Sequence, residues 1–423
     1  MHLFPFAHAT HPKAEIATQL VIAQLRALMQ QDTYTSSPNL GLLYITDHYA
    51  LHAQDILDHL SAELPWITDW SGGVGVGICS NNVEYFDEPA LVVMLCEIPF
   101  GQYAVFSGVS PLSASVQNGF EPYCALVHAD GSTPDLSDLI KELALEMDSG
   151  YLFGGLTSSR AQNVQFALSS RGNVAGQSKS RGVLVGGMSG VSFGEEVPMI
   201  TRVTQGCVPT SLEYAVTRFD QHLVLELNGR PALEVLLEAL GVKGMDRQHA
   251  LSKVKQTLVA LTESYTEGLS PTGHFKEEVM VRHIIGLDPS RQAFAIAHML
   301  TPGMRLSFCE RNLEAAKADL TRIAAEVRES LEPEELSYEQ AKSLSVGEWS
   351  QPELGRRILG AIYISCAGRG GPHFGAPSAE LQILRRSLGD VPLLGFFASG
   401  EIAHHHLYGY TGVLTVFVDH QPA

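Results

Sequence analysis

GAIYISCAGRGGPHFGAPSAELQILRRSLGDVPLLGFFASGEIAHHHLYGYTGVLTVFV, from Gly360 to Val418, holds the fold of this chain in one stretch. Ala361, Ile362, Tyr363 and Ile364 form a short apolar run suited to a buried strand, and a glycine-rich turn with Cys366 and Arg369 ends it. An amphipathic helix follows, and a second apolar strand breaks at Gly400-Glu401-Ile402. Ligands of α/β sheets sit at the carboxyl ends of strands. The spacing therefore predicts a small-molecule crevice to which two strand ends bring a guanidinium, a thiol and a carboxylate.

The same grammar runs outward through the chain. Ile16, Leu20, Ala23 and Ala27 keep helical spacing, and Leu40 to Ile45 reads as a strand. Ala90 to Cys96, Ala104 to Val109 and Cys124 to His128 read as further strands. Thr133-Pro134 opens a helix carrying Leu136, Leu139, Ile140 and Leu143. A weaker stretch, Val208 to His222, reads as a join. Beyond it come LVLELNG, a helix begun by Pro231, strands at Val279 to Ile285, Gln292 to Leu300 and Met304 to Phe308, and the amphipathic helix Leu313 to Leu331. The polar, acidic segment Glu332 to Pro352 reads as a surface excursion or lid. LPWITDWSGGVGVGICSNNVEYFDEPALVVML and VPLLGFFASGEIAHHHLYGYTGVLTVFV echo each other, which points to duplication of one unit. The expectation is an α/β protein of two tightly associated modules, residues 1–215 and 216–423, with mixed sheets flanked by helices.

Composition narrows the function. Lys and Arg number 28 against 46 Asp and Glu, a formal charge of -18, so the surface repels a phosphate backbone and nucleic acid is not an expected partner. No run approaches the about 18 apolar residues that cross a bilayer, and the N-terminus lacks a basic region followed by an apolar run, so no membrane insertion is expected. The six cysteines are scattered singly, without zinc-ligand spacing. A cytoplasmic location follows as the expectation.

GRGGPHFG, PLLGFFASGEI and YGYTGVL, together with ELNGRPALE and FGGLTSS, resemble the FIST family of bacterial sensory proteins. The resemblance spans about Ala7 to Pro209 for the N-terminal module and about Val224 to Val418 for the C-terminal one. It implies a ligand-binding sensor of signal transduction, with amino acids among the suggested ligands. It also implies a separate output partner such as a histidine kinase, because no kinase, cyclase or receiver motif is fused here. One branch of the family binds haem and answers nitric oxide, which makes a haem-dependent gas sensor the alternative.

The candidate ligand-binding residues are Ser158, Arg160, Cys366, Arg369, Glu401, Tyr410 and Thr411. Arg369 offers a bidentate fork for a carboxylate, and its structural alternative is an ion pair with Glu380 or Glu401. Glu401 would meet an ammonium or hydroxyl. Cys366 would face the ligand or respond to oxidants, an arginine nearby lowering its pKa. Arg160, after the hydroxyl-rich Gly154 to Ser159 turn, reads as the N-terminal counterpart of Arg369. Tyr410 and Thr411 would line the pocket wall. His404, His405 and His406 cannot all face one ion from a strand, since neighbours point to opposite faces. His298 and His373 are the remaining candidate haem ligands. Neither GxSxG, HExxH nor a cysteine–histidine signature occurs, so an enzyme acting on a small metabolite through Cys366 or Glu401 ranks last.

Overall fold

The computed structural model describes residues 2–108, 111–117, 119–169, 182–242, 245, 247–262, 279–332 and 355–419. The expected excursion from Glu332 to Pro352 lies, past its first residue, outside the described residues. The chain forms two compact units. Unit 1 is Met1–Thr204, Leu320–Leu407 and Thr411–Ala423; unit 2 is Gln205–Asp319 with Tyr408–Tyr410. Each side of the 215/216 join thus contributes to both units.

Unit 1 is a threefold repetition. The first repeat runs β1 (Phe6–Thr10), α1 (Ala14–Met29), β2 (Leu40–Thr46), α2 (Ala53–Glu63), β3 (Asp69–Gly75), β4 (Gly77–Ser80), β5 (Val83–Phe86) and β6 (Ala90–Cys96). The second runs β7 (Tyr103–Ser107), α3 (Leu112–Gln117), β8 (Cys124–Asp130), α4 (Leu136–Leu145), β9 (Tyr151–Thr157), β10 (Gln165–Leu168), β11 (Val183–Leu184) and β12 (Met188–Phe193). The third opens with β13 (Met199–Gln205) and is then interrupted by unit 2.

Unit 2 holds β14 (Cys207–Pro209), β15 (Tyr214–Asp220), β16 (Leu223–Leu227), β17 (Arg230–Pro231), α5 (Ala232–Ala239), α6 (Arg247–Gln256), β18 (Leu258–Thr262), β19 (Met280–Asp288), β20 (Ala293–Ile296) and β21 (Arg305–Arg311). The third repeat resumes through α7 (Leu313–Leu331), which carries the chain from one unit to the other. It ends with β22 (Ile358–Cys366), α8 (Ala379–Leu388), β23 (Leu393–Ala398), β24 (Glu401–His404), β25 (His406–Tyr408) and β26 (Thr411–Val418).

The three sheets of unit 1 have the orders β1-β6-β2-β3-β10-β11, β7-β12-β8-β9-β24-β25 and β13-β26-β22-β23-β4-β5. Each places an edge strand, an antiparallel strand, a central strand and its parallel partner in the same succession. Each is then completed by a hairpin from another repeat. The first repeat lends β4–β5 to the third sheet, the second lends β10–β11 to the first, and the third lends β24–β25 to the second. The exchange is cyclic.

Register makes the equivalence exact to the residue. Leu43 pairs with Gly72, Val127 with Gly154 and Tyr363 with Gly395. At all three glycines a Cβ would stand 1.6–2.0 Å from the partner's carbonyl oxygen, so a side chain is sterically barred. One step along, the pairs are Tyr44–Gly73, His128–Gly155 and Ile364–Phe396. These meet where the repeats converge: Tyr44 Oη and His128 Nε2 are 2.9 Å apart, and the Phe396 ring centre is 4.9 Å from Tyr44 and 5.9 Å from His128. Burial holds the His128 pKa down at about 3, so the ring is neutral. The central strands are buried throughout, which explains their continuous apolar runs. On α1, Ala17, Val21, Ile22 and Leu25 form the inward stripe that joins the first sheet's core.

The echo noted in the sequence corresponds to β3–β6 and β23–β26, and β9–β12 is a third copy. Arg160 follows β9 whereas Arg369 follows β22, so the two are not counterparts: they leave different strands of the repeat. The expected join at Val208 to His222 carries β14 and β15.

Unit 2 closes on itself. β21 pairs with β15, β15 with β16, β16 with β20, β20 with β19, β19 with β18 and β18 with β21, all antiparallel. This six-stranded ring leaves no edge among its own members, while β14 adds to β21 and β17 to β16.

Candidate functional site

The expected crevice is a buried polar nest. Arg369, on the turn after β22, is 1% exposed, and Glu380 in the first turn of α8 is likewise 1% exposed. Arg369 donates from Nε at 3.0 Å and from Nη2 at 2.9 Å to Glu380 Oε1. Tyr363 Oη donates to the same oxygen at 2.6 Å, and Ser365 Oγ donates to Oε2 at 3.1 Å. The Phe374 ring lies 5.3 Å from the guanidinium carbon. The fork expected to grip a ligand carboxylate therefore grips Glu380.

Glu401, at the start of β24, is fully buried. Its Oε2 accepts from Thr411 N at 3.1 Å and Thr411 Oγ1 at 2.7 Å, while Oε1 takes no nitrogen or oxygen donor among the described residues. Burial raises its pKa to about 7, against the pull of the Thr411 bonds, the Arg369 charge and the Cys366 thiol. Glu84, reaching in on the lent β4–β5 hairpin, is also raised to about 7, by burial and by the nearby Glu380. It accepts from Gly371 N at 3.0 Å. So Arg369, Cys366, Glu401 and Thr411 do come together, but Arg369 and Glu401 are buried.

Ser158 and Arg160 stand elsewhere, and both are pinned. Ser158 Oγ donates to Phe397 O at 2.5 Å and accepts from Val76 N at 3.0 Å, so one hydroxyl ties the three repeats together. Arg160 holds Asp47 in a bidentate grip, Nε at 2.7 Å and Nη2 at 2.9 Å, and its Nη1 also bonds Asp87. Of the histidine run, His404 and His405 are exposed on the β24–β25 hairpin.

Tyr410 belongs to unit 2, where it opens onto a cavity of about 520 Å³. The cavity lies where α6 delivers the chain into β18 and where β21 finishes, with Leu258 level with both His283 and Cys309. Its walls carry Lys253 and Lys255 from the last turn of α6, Arg311 from β21 and His283 from β19; Glu310 is the one carboxylate among its lining residues. Arg311 stacks over the Tyr410 ring, 5.0 Å to the centroid, and the Tyr410 hydroxyl is hydrogen-bonded to His283 Nε2. Burial and the Arg311 charge lower the His283 pKa, favouring neutral imidazole. Lys253 Nζ donates to Leu240 O at 2.6 Å. Tyr410 itself has a left-handed backbone, φ 61°. Sequence reading found Tyr410 but not its neighbours. Lys253, Lys255, His283 and Arg311 sit on three different elements, and only barrel closure collects them.

Two family models match the chain, the FIST N domain over residues 39–230 and the FIST C domain over residues 232–404. Among curated proteins, the chain is 27% identical over 406 residues to the "Uncharacterized protein Rv0628c" of Mycobacterium tuberculosis, covering 94% of this chain and 96% of that one. It is 27% identical over 379 residues to the "Uncharacterized protein Mb0898c" of Mycobacterium bovis, covering 87% and 88%. Among the described residues no helix is long and apolar enough to cross a membrane. With its two domain models abutting across almost the whole length, this chain belongs to the FIST family.

Proposed function

We propose that this chain is a cytoplasmic sensory protein that takes a small anionic ligand into the unit 2 cavity and signals to a separate partner, such as a histidine kinase. FIST domains are associated with sensing in signal transduction, and the observation that carries the ligand site is the cavity itself. A protein of net charge -18 gathers three cations and an aromatic around one open hollow of small-molecule size. All six cysteines are thiols without disulfide partners, which supports a reducing compartment. A thermal-shift screen of organic acids and amino acids on the wild type and on Arg311→Ala tests the reading, since a ligand selective for the native state raises Tm. A hit lost in Arg311→Ala upholds it; hits indifferent to Arg311→Ala refute the site.

A second reading keeps the ligand in the nest, because among the described residues Glu401 Oε1 has no nitrogen or oxygen donor, which a ligand ammonium would supply. It requires unit 1 to open around Cys366, the half-exposed member of the cluster. A hit lost in Glu401→Gln and kept in Arg311→Ala would favour it.

A further inference from the structure

We infer that Cys366 is a redox-modification site, oxidised by hydroperoxides to a sulfenic acid, with Glu401 as the group that takes the thiol proton. The inference goes beyond the sensory reading and does not depend on which site takes the ligand. Cys366 is the one cysteine of the six that is not buried. It ends β22, level with Ala398 at the end of β23. Ala367 N donates to Ala398 O at 2.8 Å and Arg369 N donates to Cys366 O at 2.7 Å, so backbone bonds hold the turn that presents it. Burial pushes the Cys79, Cys96 and Cys124 thiols up, which makes them poor nucleophiles.

A second observation gives the thiol a partner. Glu401, 0% exposed, is hydrogen-bonded to the Cys366 side chain. Its Oε2 is fixed by the two bonds from Thr411, which keep the carboxylate from turning away. Its Oε1 has no nitrogen or oxygen donor among the described residues. A buried carboxylate oxygen left without a donor is costly, and a hydroxyl formed on the neighbouring sulfur supplies one. Burial raises the Glu401 pKa to about 7, so near neutral pH it both takes a proton and returns it. The step balances. Glu401 accepts the thiol proton, the thiolate attacks one oxygen of the hydroperoxide, the S–O bond forms and the O–O bond breaks. The leaving hydroxide or alkoxide takes the proton back from Glu401 and departs as water or alcohol. Sulfur loses two electrons and the peroxide gains them. Hydrogen peroxide is little larger than water, so a half-exposed thiol is within its reach while the nest stays closed.

Treating the full chain with hydrogen peroxide and trapping sulfenic acid with dimedone, read by peptide mass spectrometry, tests this. The expected result is dimedone on Cys366 well ahead of the five buried cysteines. Cys366 should also label faster in the folded chain than in denaturant, an acceleration that exposure alone does not give. Glu401→Gln, similar in shape but unable to accept the proton, should slow the folded-state labelling about tenfold or more. In denaturant the variant and the wild type should label alike. Wild-type Cys366 that labels no faster than the buried cysteines, or no faster folded than unfolded, overturns the inference without recourse to any variant. Glu401→Gln with a native circular dichroism spectrum and wild-type labelling overturns the part given to Glu401, and the inference with it.

Discussion

Arg369 shows how one residue type serves two ends. A guanidinium on a glycine-rich turn after a strand is placed to receive a ligand, yet here four hydrogen bonds from Arg369, Tyr363 and Ser365 converge on the Glu380 carboxylate. Removing that carboxylate strands a buried cation. Glu380→Ala should cost about 3–5 kcal/mol in urea unfolding; a cost under 1 kcal/mol would show that the pair is solvated in solution. Glu401 and Glu84 make the opposite contribution. Their folded pKa values, about 7, exceed the unfolded carboxylate value near 4.5, so the folded state holds protons that the unfolded chain has released. Their contribution to stability is then largest below about pH 4.5 and declines between about pH 4.5 and 7, by about 3 kcal/mol for each group. Glu401→Gln should flatten part of that decline, and an unchanged slope of stability against pH would contradict the assignment. Arg369, Cys366, Glu401 and Thr411 were legible as a group because strand ends and turns are local. Glu84 was not, since it arrives on a hairpin from a repeat nearly three hundred residues away in the chain.

At the level of elements, the glycine of each β2-, β8- or β22-type pairing decides whether parallel strands can approach. Gly154 illustrates it: a Cβ would stand 2.0 Å from Val127 O. Gly154→Ala should destabilise by about 3 kcal/mol through overpacking, measured as a fall in Tm, with wild-type Tm as the contradicting result. Ser158→Ala tests the pin between repeats. It leaves Val76 N and Phe397 O without their hydroxyl partner and should cost about 1–3 kcal/mol. The strand–helix–strand grammar and most element positions could be read from apolar periodicity, including α1, α7 and the β22–α8–β23 unit. The threefold repetition could not. The second repeat's β10 and β11 are short, and the third repeat is split by the whole of unit 2, which hides the period that self-comparison would need. Cyclic exchange of hairpins also leaves no trace in local pattern, because β4 and β24 look like continuations of their own sheets.

For the molecule as a whole, an overall charge of -18 makes the cations that line the unit 2 cavity conspicuous. Unit 1 buries Arg369, Glu380 and Glu401, while Lys253 and Lys255 at the unit 2 cavity are exposed. Tyr410 is the last residue of the segment that unit 2 borrows from the C-terminal strands, and its chain neighbour Thr411 holds Glu401. Hydrogen–deuterium exchange on the full chain, with and without a saturating hit from the thermal-shift screen, tests the location of binding most directly. Protection concentrated at residues 253–258, 281–284 and 309–311 and at Tyr410 is the predicted result. Protection confined to residues 363–380 and 401–404, with unit 2 unchanged, would contradict it.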